Sequence, residues 1–119
     1  MTLAAASGFS AVALGAFGAH ALKQRLPADL LAVWQTAVQY QFWHTLALFA
    51  VALWLGQGAS GRLVHASGWL FAAGIIVFSG SLYILCLSGQ RWLGAITPIG
   101  GTLWLAAWAC LCFSAWRGQ

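Results

Sequence analysis

Between Thr36 and Leu55 the chain reads TAVQYQFWHTLALFAVALWL, a stretch without Asp, Glu, Lys or Arg. At about 1.5 Å per residue, a helix over it matches the roughly 30 Å hydrocarbon core of a bilayer. Its first half nonetheless carries Tyr40, Gln41 and His44. In hydrocarbon such groups have no water to bond and need protein partners. The stretch is therefore expected to be a membrane helix whose polar face turns toward other helices of the same chain.

The rest of the chain agrees. Charged residues make up 5% of it and hydrophobic residues 62%, against about 25% charged in a soluble domain. Such a chain cannot cover itself with a hydrated surface. The net charge of +4 comes from Lys23, Arg25, Arg62, Arg91 and Arg117 against Asp29. These lie singly or in pairs between apolar runs and read as topology signals and headgroup anchors, not as a nucleic-acid surface. Cys86, Cys110 and Cys112 fall inside apolar runs and read as small buried hydrophobes.

Breaks in the apolar pattern divide the chain into spans at about 3–22, 36–55, 68–87 and 95–116. Short connections predict an all-α, up-down-up-down bundle of four transmembrane helices forming one membrane domain. In the first span Ala4, Gly8, Ala11, Gly15 and Ala19 recur every three or four residues, a packing face for another helix. Ala19-His20-Ala21 also matches a signal-peptidase pattern, but no Lys or Arg precedes the apolar run, as a signal peptide requires. Pro27 and Asp29 suit a helix start, with the proline in the first turn and the acid at the positive end of the dipole. Trp34, Trp54, Trp69, Trp92 and Trp116 fall near span ends, as an aromatic belt would place them; Trp43, Trp104 and Trp108 lie deeper.

Threading collects polar residues in the half of the membrane next to loops one and three. His20 ends span one; Tyr40, Gln41 and His44 enter span two; Ser79, Ser81 and Tyr83 approach along span three; Thr97 begins span four. His44 lies about 12 Å below Thr36. These residues are the candidate site. An ionisable side chain within a membrane is a functional hypothesis by default, and fastening helices together is the competing role. Catalysis has little support. The chain contains no Glu and one Asp, no serine has an identifiable orienting partner, and His20 with His44, two histidines on separate helices, is a weak signal for a metal or haem and hence for a redox enzyme. The identity of any cofactor is unknown from the sequence.

Four stretches carry a resemblance: Gly15 to Lys23 (GAFGAHALK); Trp34 to Thr36 with Tyr40, Gln41 and His44; Phe78 to Tyr83 (FSGSLY); and Ile96 to Gly101 (ITPIGG). Together they cover nearly the whole chain, in order. They resemble the YgdD/YwdK-like family of small bacterial inner-membrane proteins, a domain-of-unknown-function family with a small transmembrane relative in eukaryotes. The resemblance implies a multi-pass, four-helix protein of the cytoplasmic membrane and no established activity. Two functions are expected. One is a non-enzymatic accessory or assembly component, partnered with other membrane proteins or with copies of itself. The alternative is a ligand-binding or transport protein with an intramembrane cavity lined by the polar residues above.

Overall fold

Each apolar run forms a helix in the computed structural model, which describes residues 1–118. Helix α1 (Thr2–Leu22) is α-helical to Phe17 and closes in a π turn, Gly18–Leu22. Helix α2 is Ala28–Gly56, with Pro27 at its N-cap and Asp29 in its first turn; the proline lacks an N–H to leave orphaned, and the carboxylate faces the positive end of the helix dipole. Helix α3 (Arg62–Ser88) is interrupted by a π turn at Ile75–Ser79. It ends at Gly89, whose φ of 73° is the left-handed conformation that lets its N–H reach back to the Leu85 carbonyl. A 3₁₀ turn, Arg91–Ala95, leads into α4 (Thr97–Trp116), with Pro98 in the first turn.

Neighbouring helices run antiparallel. Ser7 and Leu14 of α1 meet Thr45 and Trp34 of α2. Leu30 and Ala37 of α2 meet Cys86 and Ser79 of α3. Phe71 and Ser81 of α3 meet Trp104 and Thr97 of α4. Among the described residues, α1 packs along α2, α2 along α3 and α3 along α4, whereas α1 and α4 share no extended contact. The helices thus form an open row, a slab of 49 × 26 × 16 Å, in place of a closed ring of four.

Two apolar clusters hold the row. At the loop-one end Leu22, Trp34, Ala37, Leu82, Leu85, Cys86 and Leu93 pack together. At the other end Ala4, Leu48, Val51, Val64, Phe71, Trp104 and Ala107 do so. Trp34, expected in the interfacial belt, is 1% exposed. Gly18 has no side chain to keep the indole away, so Trp34 lies directly against it and donates to the Leu14 carbonyl at 2.9 Å.

Large apolar side chains such as Phe9, Trp69, Ile76 and Leu105 point outward on all sides. A water-soluble surface does not look like this, but a lipid-facing one does. Thr2–Leu22, Arg62–Ser88 and Arg91–Trp116 are each long and apolar enough to cross a membrane. Helix α2 is the longest uninterrupted α-helix at 29 residues, but Gln35, Gln39, Gln41 and His44 dilute its apolar character.

Candidate functional site

The approach of α1 to α2 comes first, because it sets which polar groups can meet. A Cβ on Gly8 would touch Thr45 at 3.5 Å, and one on Gly15 would touch Val38 at 3.3 Å. Ala4 and Ala11 are buried on the same face. Ala19 is exposed. A step of four residues rotates a position about 40° round an α-helix, so successive steps carry Ala19 off the face while Gly18 stays on it.

At that close approach Gln41 enters between α1 and α3. Its amide nitrogen donates to the Ser7 carbonyl at 3.1 Å and to the Ser10 hydroxyl at 2.8 Å. Its amide oxygen accepts from the Tyr83 hydroxyl at 2.7 Å. Side chains on a helix lean toward its N-terminus. Tyr83 and Gln41 sit on antiparallel helices, so both lean toward the level where the Ser79 hydroxyl donates to the Ala37 carbonyl at 2.8 Å. Thr45 completes the group, donating to the Gln41 carbonyl and sharing a 2.6 Å hydroxyl contact with Ser7. This layer lies between the two apolar clusters and fastens three helices.

Ser81 and Thr97 form a separate pin between α3 and α4, their hydroxyls 3.0 Å apart. His20 is exposed at the end of α1 and joins neither group.

His44 and Tyr40 face the opposite side of α2. The His44 ring lies flat on the Trp104 indole, with centroids 3.6 Å apart and planes 3° from parallel. Trp104 is held in turn: its N–H donates to the Phe71 carbonyl at 3.3 Å, and its indole fills the space where Gly74 has no side chain. His44 Nδ1 is 2.8 Å from the Tyr40 carbonyl. A carbonyl can only accept, so this bond assigns the proton to Nδ1 and leaves Nε2 as an acceptor. Nε2 has no partner among the described residues. It is not sealed from the surface, and His44 borders a groove of about 460 Å³ lined also by Tyr40, Trp104, Pro98, Gly101, Thr102 and Trp108. Among the described residues, no three of His, Cys, Asp and Glu come together as metal ligands would.

The sequence-predicted residues thus divide four ways: Gln41, Ser79 and Tyr83 in the central layer, Ser81 with Thr97, His44 with Tyr40, and His20 apart. Ser7, Ser10 and Thr45 were not anticipated. The available signal was spacing, with Ser7 and Ser10 three apart on the packing face and Thr45 four beyond Gln41.

A family model described as "Protein of unknown function (DUF423)" matches residues 14–101. The chain belongs to this family. The DUF423 match takes in the central layer from Gln41 to Tyr83, the Ser81–Thr97 pin and His44. The chain is 45% identical over 113 residues to the UPF0382 membrane protein YwdK of Bacillus subtilis, covering 95% of this chain and 92% of that one. It is 43% identical over 117 residues to the UPF0382 inner membrane protein YgdD of Escherichia coli K12, covering 98% and 88%. A UPF0382 membrane protein of Haemophilus influenzae is 43% identical over 119 residues, covering 100% and 94%. No solved structure matches the chain. Family membership and the outward apolar side chains agree that this is a membrane protein whose surroundings are lipid.

Proposed function

We propose that the protein is a four-span, non-enzymatic component of the bacterial cytoplasmic membrane that acts by lateral assembly, with copies of itself as the first partner. Helix α2 counts as the fourth span because it lies between α1 and α3 along their length. The Gln41 and Thr45 side chains are satisfied within the row, which lowers the cost of placing this helix in lipid. The name of the Escherichia coli relative supports the inner membrane.

The observation that carries the assembly reading is the outer face of α1 and α2. Gln35 and Gln39 are exposed there, one helical turn apart, beside a groove of about 880 Å³ whose other wall is Ala11, Gly15 and Ala16. Small residues let a helix approach closely, and amides facing lipid gain by bonding across to it. A carboxamide both donates and accepts, so two identical copies related by a twofold axis can satisfy each other. The only acid, Asp29, lies in the first turn of α2 in an exposed ion pair with Arg91 at 3.0 Å.

The test is native mass spectrometry from mild detergent at native expression, with the Gln35→Leu/Gln39→Leu double variant alongside. A dimer or a defined complex that the double variant loses supports the reading. A monomer without partners, or assembly indifferent to both glutamines, removes it.

A further inference from the structure

His44 presents a chemical problem that the assembly reading does not address. It is 9% exposed, sits deep in its helix, and has Nδ1 committed to the Tyr40 carbonyl. The Ser114 hydroxyl is the sole completely sealed side-chain polar atom lacking a partner among the described residues. His44 Nε2, also without one, is therefore open to the groove in front of it. An acceptor facing hydrocarbon is unfavourable unless a donor arrives.

The groove describes that donor. Its floor is the stacked pair His44 and Trp104, with Tyr40 lying nearly parallel to Trp104 at 5.9 Å and 11°. Trp108 stands at one border and the Pro98–Thr102 turn of α4 at the other. Flat aromatic walls favour a flat occupant. The volume of about 460 Å³ lies in the range of roughly 300–1,000 Å³ typical of small-molecule sites. Gly101 keeps the entrance clear, since a Cβ there would meet nothing within 4 Å.

We infer that this groove binds a lipid-soluble ring hydroxyl of the hydroquinone class, with the hydroxyl donating to His44 Nε2 and the ring lying against Tyr40 and Trp108, the exposed aromatics of its lining. The oxidised form of such a ring has carbonyls and no hydroxyl, so it cannot donate to Nε2. Tyr40 can donate to either form, having no partner for its own hydroxyl among the described residues, so discrimination between the two rests on His44. The inference concerns binding alone and is independent of the Gln35/Gln39 face, which lies elsewhere on α2.

The experiment uses the full chain in lipid nanodiscs. Tryptophan fluorescence is followed while decyl-hydroquinone, kept reduced and anaerobic, is titrated in, with empty nanodiscs as the partition control. The variants are His44→Phe, which keeps a flat ring and removes the acceptor, and Gly101→Leu, which fills the groove without touching the packed faces. Saturable quenching is expected for the unmodified chain, about tenfold weaker binding for His44→Phe and for the oxidised probe, and loss of saturation for Gly101→Leu. Absence of saturable quenching, or equal binding by both variants, overturns the inference. Equal affinity for dodecanol, a hydroxyl without a ring, overturns it in favour of an ordinary lipid hydroxyl. Gly101→Leu replaces a helical glycine with a better helix former at an open position, so its folding does not compromise the comparison.

Discussion

Gly100 and Gly101 are neighbours in sequence with opposite surroundings. A Cβ on Gly100 would collide with the backbone of Phe78, while one on Gly101 would touch nothing within 4 Å. Gly100→Ala is therefore expected to push α4 off α3 and lower stability by about 1–3 kcal/mol. Gly101→Ala is expected to raise it by about 0.4–1 kcal/mol by restricting the unfolded chain. Thermal unfolding in one detergent compares the two, and a Gly100→Ala midpoint at or above that of Gly101→Ala would contradict the packing. Gln41 and Tyr83 form a second residue-scale case. A double-mutant cycle with Gln41→Leu and Tyr83→Phe should give a coupling of about 0.6–1.7 kcal/mol, the range for hydrogen bonds between membrane helices. Purely additive effects would mean that the 2.7 Å bond does not couple the helices. That these residues are polar and sit in an apolar run is legible in the sequence. Which of them pair is not, because the direction in which a side chain leans matters only once helices are set antiparallel.

At the scale of elements, α3 depends on its π turn. A π turn holds about one residue more than an α turn, which rotates everything beyond it. Upstream, α3 presents Phe71 and Gly74 to Trp104; from the last residue of the turn onward, it presents Ser79, Tyr83 and Cys86 to α2. Ile76 within the turn is 73% exposed, so its side chain contributes little inside the row. Ile76→Ala is expected to unfold within about 0.5 kcal/mol of the unmodified chain. Deleting Ile76 should destabilise far more, by turning one half of α3 about 100° relative to the other. Equal midpoints for the two would remove the π turn from the account of the fold. The start of α2 was readable because Pro27 and Asp29 act locally. The π turns were not, because nothing in a run such as GIIVFSG distinguishes them from α-helix before neighbours press on it.

At the scale of the molecule, the four-span proposal places the Lys23–Pro27 connection on one side of the membrane and the Gln57–Gly61 connection on the other. Gln24→Cys and Ser60→Cys, each in a background lacking the native cysteines, should react with a membrane-impermeant maleimide from opposite sides of sealed vesicles. Labelling from the same side would mean that α2 does not cross. The open row also changes what surrounds the polar groups. Among the described residues α1 and α4 share no extended contact, so the row has two broad faces in place of an enclosed centre. The Gln35/Gln39 groove lies along α1 and α2, and the His44 groove is lined by residues of α2, α3 and α4.

Read alone, the amino-acid sequence determined the environment, the number of helices and where most of them begin, and it singled out Gln41 and His44 as polar groups needing explanation. These follow from hydropathy, proline and glycine, which act over a few residues. Tertiary structure alone decided that Gln41 is enclosed by Ser10 and Tyr83 while His44, three residues on, keeps an open nitrogen. It also decided that Trp34 is core and not belt, and that His20 stands apart. Those outcomes depend on how closely glycines let two helices approach and on the rotation each π turn adds, and both are set only when the helices pack.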